Sequence, residues 1–304
     1  MKKGNIIIIT GPTASGKSAL AIELARRLDT EIISADSRQI FKGIPIVTAV
    51  PAKEEMMGVK HHLLECLELE DYYSASLFEN DALGIINDIL QKKENVVVCG
   101  GSMMYIDALC NGIDELPTVP DEIRNNLMQE WNIKGNDWLL ESLHSLDPVC
   151  YGRIDKNNLK RVFHAVEISI TAGVPYSSML GLKTVERPFH IIKTELNGSR
   201  EKLFDRINRR VDKMVESGLE EEAARVYDKR RLNSLNTVGL KEMFAYFDGK
   251  MEKNVAIERI KKNTRVYAKK QMTWFKRDDS LKRLDFEKTY KENVGEILNI
   301  LSQF

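Results

Sequence analysis

The sequence predicts an α/β fold, a parallel sheet flanked by helices, with an inserted mostly helical domain. Three observations lead there. Short apolar runs without polar alternation, such as Ile6–Ile9 and Val96–Cys99, suit strands buried on both faces. Stretches with helical spacing separate those runs, which is the βαβ signature of a parallel sheet. After Gly112 the strand-like runs stop, and residues 121–184 read as helix.

In chain order, Ile6–Ile9 is the first strand. A glycine loop follows, then Ser18–Leu28 with Leu20, Leu24 and Leu28 on one face and Ala21 and Ala25 beside them. Glu31–Ser34 is a second strand. Ser76–Gln91 reads as helix, and Val96–Cys99 as a third strand ended by Gly100 and Gly101. Leu116-Pro-Thr-Val-Pro120 reads as a linker into the helical lobe. Ile191–Leu196 returns the chain to the sheet, and from Ser199 onward the pattern is helical. The expected division is a core of residues 1–114 and 186–304 with an insertion of residues 115–185.

The chain has 304 residues, 43% hydrophobic and 30% charged, which suits a globular protein rather than a disordered one. No run approaches the roughly 20 apolar residues that span a bilayer, and no targeting segment is visible, so a cytoplasmic protein with no membrane association is expected. Cys66, Cys99, Cys110 and Cys150 form no C-x-x-C pair, which argues against zinc and disulfides. Net charge is zero, yet six Lys or Arg fall in residues 200–213 and eight in 259–277. Such clustering keeps a nucleic-acid partner open.

The strongest motif is Gly11-Pro12-Thr13-Ala14-Ser15-Gly16-Lys17-Ser18, a match to G-x-x-x-x-G-K-S between a strand and a helix. Its glycines let backbone N–H groups curl around phosphate oxygens at a helix N-terminus. Lys17 should reach the terminal phosphate and Ser18 should ligate Mg²⁺. The sheet is therefore expected to be of the P-loop NTPase-like kind. A switch or motor ATPase would end a later strand in Asp or Glu to hold the metal. Val96–Cys99 ends in Gly100-Gly101-Ser102 instead, which favours group transfer from a di- or triphosphate.

Asp36 follows the second strand directly, with Ser37, Arg38 and Gln39 beside it. Ligands in open α/β sheets sit at the carboxyl ends of strands, so Asp36 either accepts a proton there or caps a turn. Arg206 and Arg210 share a helix face and either clamp a diphosphate or face solvent. Lys262, Arg265, Lys269 and Lys276 form a basic stripe, with Tyr267, Gln271 and Trp274 on another face. Such a stripe suits a nucleic-acid backbone or a plain charged surface.

Together these motifs resemble the tRNA dimethylallyltransferase family over about residues 5–277. The likeness is carried by Gly11–Ser18, Asp36-Ser37, His61-His62-Leu63 and Gly100-Gly101-Ser102-Met-Met-Tyr105. To these are added Leu146-Asp147-Pro148, Arg153-Ile154, Ala165-Val-Glu167, Ser199-Arg200-Glu201, and Thr264-Arg265 through Trp274-Phe275. The resemblance implies transfer of a dimethylallyl group from dimethylallyl diphosphate to N6 of the adenosine 3′-adjacent to the anticodon, in tRNAs reading codons that begin with U. It implies that the Gly11–Ser18 loop, outwardly of the nucleotide- and ATP-binding type, holds the isoprenoid diphosphate. Thr13, Lys17 and Arg210 would act on that diphosphate, Ser18 would ligate Mg²⁺, and Asp36 would be the general base. Contacts to tRNA are implied at Asp36, Ser37, Arg38, Gln39, Ser102, Arg124, Lys160, Arg161, Val162, Phe163 and His164. A second stretch is Asn236, Thr237, Val238, Gly239, Leu240 and Lys241. The lobe at 115–185 would grip the anticodon stem-loop, and the enzyme would be a monomer.

The chain also departs from that pattern. Val47-Thr-Ala-Val50-Pro51 stands where the family commonly has Gly-Thr-Ala-Lys-Pro. Asn236–Lys241 replaces a segment that usually begins with Arg and ends Gly-Tyr-Arg, and His164 stands where Arg is common. The alternatives are a small-molecule kinase, an inactive tRNA-binding paralogue, and an enzyme that prenylates free adenine nucleotides. A basic C-terminal helix and an inserted lobe argue against the first, and the lobe at 115–185 argues against the last. The joint presence of Ser18, Asp36 and Arg210 argues against the second.

Overall fold

A computed structural model describes residues 4–114, 116–181 and 185–303. Residue 115, where the insertion was expected to begin, and 182–184 near its end lie outside the described residues. The chain divides into two compact units, Met1–Cys110 with Glu186–Phe304, and Asn111–Val185.

The first unit is built on one parallel sheet of order β3-β2-β4-β1-β5-β6. Its strands are β1 (Asn5–Thr10), β2 (Ile32–Ser34), β3 (His61–His62), β4 (Asn95–Cys99), β5 (His190–Asn197) and β6 (Lys282–Asp285). β1 lies at the centre, with Ile6 opposite Val96 on one side and Ile191 on the other. Ile6 to Ile9 are fully buried, which explains their unbroken apolar run. Successive side chains go to opposite faces. Ile7 and Ile9 pack with Leu20 and Leu24 of α1 (Lys17–Arg27). Ile6 and Ile8 pack with Phe78 and Ile86 of α3 (Ala75–Leu90) and Tyr105 of α4 (Met103–Asn111). A four-residue helix, α2 (Pro45–Thr48), lies between β2 and β3.

The predicted strands and helices of this half appear within one or two residues of their expected ends. Two strands differ. β3 has only two residues, too few to carry a pattern. β6 lies in the part read as wholly helical, and it is an edge strand with exposed Lys282 and Arg283. A charged edge protects the sheet from further pairing and hides the strand from a search for apolar runs.

After β5 come α8 (Arg200–Glu216), α9 (Leu219–Arg225), α10 (Leu240–Phe247) and the long α11 (Lys253–Phe275), then β6 and α12 (Tyr290–Leu301). α9, α10 and α11 share a separate apolar cluster with α2, which includes Val47, Leu219, Leu240, Phe244 and Ile260.

The second unit is helical: α5 (Asp121–Leu146), α6 (Pro148–Arg153) and α7 (Leu159–Ala172). Gly135, at φ 83° and ψ −174°, breaks α5 into two helices. Leu127, Leu139, Leu143, Val162, Phe163 and Val166 form a core of their own. Buried Asp147 accepts from the Cys150 N–H at 2.8 Å, which caps α6, and from Ser177 N–H at 2.6 Å and Oγ at 2.7 Å. Burial opposes its charge, and these hydrogen bonds outweigh it, holding the carboxyl below the usual range. Among the described residues, no helix is long and apolar enough to cross a membrane.

Candidate active site

The Gly11–Ser18 loop leaves β1 and enters α1 as its sequence requires. Ala14 and Gly16 adopt left-handed φ values of 64° and 96°, which curls the backbone into a nest. Gly16 is the N-cap of α1 and supplies no side-chain cap, so the first N–H groups of the helix stay available to an anion. The Ser15 hydroxyl is fully buried and has no hydrogen-bond partner among the described residues.

Thr13, Lys17, Ser18, Asp36, Gln39, Arg210 and Gln271 line one cavity, together with Tyr267 and the apolar Ile32, Leu64 and Cys99. Among the described residues, the Lys17 ammonium hydrogen-bonds only to the Pro12 carbonyl, at 3.4 Å. Burial pushes its ammonium below the ordinary lysine range, with Arg210 adding to the effect and Cys99 and Asp36 opposing it. Burial likewise lowers the Arg210 guanidinium, against the pull of Asp36. Among the described residues, neither cation has a carboxylate in salt-bridge range. Two half-buried cations with no carboxylate in salt-bridge range among the described residues, beside a curled N–H nest, have the chemistry of an anion site.

Asp36 faces this site from the end of β2. Its Oδ1 accepts from the backbone N–H of Arg38 at 2.9 Å and of Gln39 at 3.4 Å. That is the turn-capping role the sequence left open. Its Oδ2 has no partner among the described residues, so the same carboxylate retains an acceptor.

Gly100 and Gly101 end β4 because nothing larger fits. A Cβ at Gly100 would lie 2.1 Å from the Ala35 carbonyl oxygen, and one at Gly101 would lie 2.3 Å from Gln271 Nε2. Close approach of β4 to the Asp36 strand thus replaces the acidic residue of a switch ATPase. Burial pushes the Cys99 thiol up to about 11, so it is neutral beside Ser18.

Other predicted residues sort by their contacts. The Gln39 amide donates to the Thr48 and Ala49 carbonyls, both at 3.0 Å, and accepts from Ser34 at 3.3 Å. The Arg38 guanidinium donates to Asn233 O at 2.8 Å and Ser234 O at 3.2 Å, which draws the Asp36 loop toward the 236–241 segment. In that segment Asn236 and Lys241 are exposed, Thr237 and Val238 half-buried, and Gly239 and Leu240 buried. Ser37 is half-buried beside Asp36, and Ser102 opens α4 with its N–H on Ala35 O at 3.1 Å. In the helical unit, Lys160 and Arg161 are exposed, whereas Val162 and Phe163 point into its core. Arg124 binds Glu167 through Nε at 2.9 Å and Nη2 at 3.2 Å, and His164 Nδ1 meets the same carboxylate at 3.0 Å.

Arg206 does something different from the clamp considered with Arg210. Its Nη1 donates to the Ser15 carbonyl at 3.0 Å and its Nη2 to Phe286 O at 3.2 Å, with the guanidinium over the Phe286 ring. It braces the loop through its backbone. Sequence reasoning missed two further residues. Buried Glu222 accepts from the Ile46 and Val47 N–H groups, both at 2.8 Å, and so caps α2. Gln271, read only as part of a helix face, ties α11 to Thr13 and Gly101. Both act across 170 residues or more, where no local pattern points. On the basic stripe of α11, Lys262, Lys269 and Lys276 are exposed, and Arg265 binds Asn208 Oδ1 at 2.5 Å.

Comparison with known proteins agrees with this architecture. The chain is 51% identical over 277 residues to tRNA dimethylallyltransferase 2 of Parabacteroides distasonis, covering 91% of this chain and 93% of that one. It is 46% identical over 301 residues to tRNA dimethylallyltransferase 1 of Bacteroides fragilis, covering 99% and 98%. Among solved structures it resembles the tRNA isopentenylpyrophosphate transferase of Bacillus halodurans, with TM-score 0.73, 33% identity, and coverage of 99% and 96%. A eukaryotic dimethylallyltransferase acting on tRNA aligns with TM-score 0.80 at 27% identity, covering 93% of this chain and 74% of that one. The profile of the IPP transferase family matches residues 39–278, and with these relatives it establishes that the chain belongs to that family.

Proposed function

We propose that this chain transfers a dimethylallyl group from dimethylallyl diphosphate to N6 of the adenosine 3′-adjacent to the anticodon, in tRNAs reading codons that begin with U. The products are N6-(dimethylallyl)adenosine and diphosphate. The observation that carries this is one cavity holding two uncompensated cations, Lys17 and Arg210, opposite a carboxylate with a free oxygen, Asp36.

The loop N–H groups, Lys17 and Arg210 bind the diphosphate and stabilise its charge as the C1–O bond breaks. Thr13 lines the same cavity, and its hydroxyl would add a donor to the leaving group. Asp36 accepts the N6 proton as the N6–C1 bond forms, which an unreactive exocyclic amine needs. The adenine reaches this buried site only by leaving the base stack, with Asp36–Gln39, Ser102 and Asn236–Lys241 beside it. In the helical unit, Lys160 and Arg161 meet tRNA phosphates. Val162 and Phe163 support them from within its core, and Arg124 and His164 are held in place by Glu167.

The donor set suits Mg²⁺ held through the substrate. Among the described residues no group of three or more His, Cys, Asp or Glu side chains is placed to hold a metal. Ser18 would therefore share Mg²⁺ with phosphate oxygens and water, as this ion prefers. When bound, it neutralises charge on the departing diphosphate. The enzyme works as a cytoplasmic monomer.

The test is incubation with labelled dimethylallyl diphosphate and unmodified tRNA, with and without Mg²⁺. Label is expected at the adenosine beside the anticodon, and only with Mg²⁺. ATP turnover with a small acceptor, without label in tRNA, would replace this reading with a kinase.

A further inference from the structure

We infer that Gln271 is the positioning residue that sets the Thr13 hydroxyl against the departing diphosphate, an inference that rests on the transfer reading above. Gln271 lies on α11, 258 residues from Thr13 in sequence, and its side chain is 2% exposed. Its Oε1 accepts from the Thr13 N–H at 2.9 Å, and its Nε2 donates to the Gly101 carbonyl at 2.9 Å. One partner only donates and the other only accepts, so the orientation of the amide is fixed by its surroundings. The carboxamide meets both demands at once, with its oxygen toward the N–H and its nitrogen toward the carbonyl. Gly101 lacks a side chain at the point where a Cβ would strike Nε2 at 2.3 Å.

Thr13 needs such a fastening. It stands between Gly11, at φ 149°, and Ala14, at φ 64°, where the backbone departs from regular structure. Within the loop, Ser15 N–H and Lys17 Nζ both reach the Pro12 carbonyl, at 3.3 and 3.4 Å, and among the described residues no loop group accepts from the Thr13 amide. With its N–H bound to Gln271, Thr13 is anchored through its backbone and contributes its side chain to the cavity. Both polar atoms of Gln271 are tied to backbone, with one Nε2–H and one Oε1 lone pair remaining, and the Thr13 bond is the route by which it acts on the diphosphate. The same bond ties the loop to α11.

The test is steady-state transfer of labelled dimethylallyl diphosphate to unmodified tRNA. The full chain is used as wild type, Gln271→Met, Thr13→Ala, and the double variant. Methionine keeps the length and loses both hydrogen bonds. Gln271→Met is expected to lower kcat by about 10- to 100-fold, less than full loss of a transition-state donor, with KM for tRNA unchanged. In the Thr13→Ala background the same change should cost less than about twofold, because there is no hydroxyl left to position. Multiplying losses, or an effect on tRNA KM instead of kcat, would overturn the inference. If Gln271→Met does not fold, Gln271→Leu, which also loses both hydrogen bonds, enters the same cycle. Wild-type protein that places no label in tRNA would sink the transfer reading itself, whereas active wild type with multiplying losses sinks only the role of Gln271.

Discussion

Asp36 caps a turn and, in the proposed transfer, takes up the N6 proton, and separate mutations can divide the two roles. Its Oδ1 closes the turn onto Arg38 and Gln39, and its other oxygen is open to the cavity. Asp36→Asn keeps an oxygen for the turn and removes the base. It is expected to cut transfer by about 10²- to 10⁴-fold while leaving the melting temperature near wild type. Asp36→Ala should lose the same activity and also destabilise the protein by about 1 kcal/mol, measured by denaturant unfolding. Lys17 supplies a pH prediction. Burial sets its folded pKa below the unfolded value, so between the two the unfolded chain binds more protons. The stability of the ligand-free protein therefore rises with pH across that window. Affinity for the diphosphate falls over the same window, because the ammonium is lost. The rise in melting temperature produced by dimethylallyl diphosphate should shrink from neutral toward alkaline pH, which thermal melts at several pH values would check.

At the scale of elements, the two sequence departures at 47–50 and 236–241 turn out to be neighbours. A Cβ at Gly239, which sits at φ 102°, would lie 2.3 Å from Val47 Cγ2. Val47 stands where a glycine is common in the family, and its methyl group rests against the one residue type that leaves it room. Gly239→Ala is expected to cost about 2–4 kcal/mol, from a strained backbone and a clash with a stiff β-branched side chain. Adding Val47→Ala should restore the packing part and leave the backbone part, as read from denaturant midpoints. This pair also marks where sequence reading stops. Ile6–Ile9 and the loop after it were legible because the signal is local: an apolar run, a glycine spacing, a helix face. The meeting of Val47 with Gly239, the capping of Ile46 and Val47 by Glu222, and the bridge from Gln271 to Thr13 depend on packing between distant segments. Arg206 shows the limit within a correctly read helix. Its spacing from Arg210 put both on one face, yet Arg206 turned to the Ser15 backbone and the Phe286 ring.

At the scale of the molecule, the insertion closes on itself. Val185 N–H reaches the Asn111 carbonyl at 3.4 Å within the helical unit. Within the core, Arg187 donates to the Leu109 and Ala108 carbonyls, both at 2.8 Å, and pairs with Glu79 at 2.5 Å. The helical unit has its own apolar centre. Replacing residues 111–185 with a short Gly/Ser linker should leave the core folded, with dimethylallyl diphosphate still raising its melting temperature. Transfer to tRNA should be abolished. Loss of the donor-induced shift would show that the lobe is needed to build the donor site.

The strand order has a bearing on synthesis as well. β1 sits between β4 and β5, and β5 lies behind the whole lobe in the chain. As the chain leaves the ribosome, β1 gains its β4 neighbour first and keeps the other side bare until the lobe has been made. During that interval Ile6–Ile9 presents an unpaired, wholly apolar edge, the kind of surface that recruits other nascent chains. The growing polypeptide is most exposed to misassociation in that stretch of translation, and a chaperone holding the amino-terminal half would matter most there.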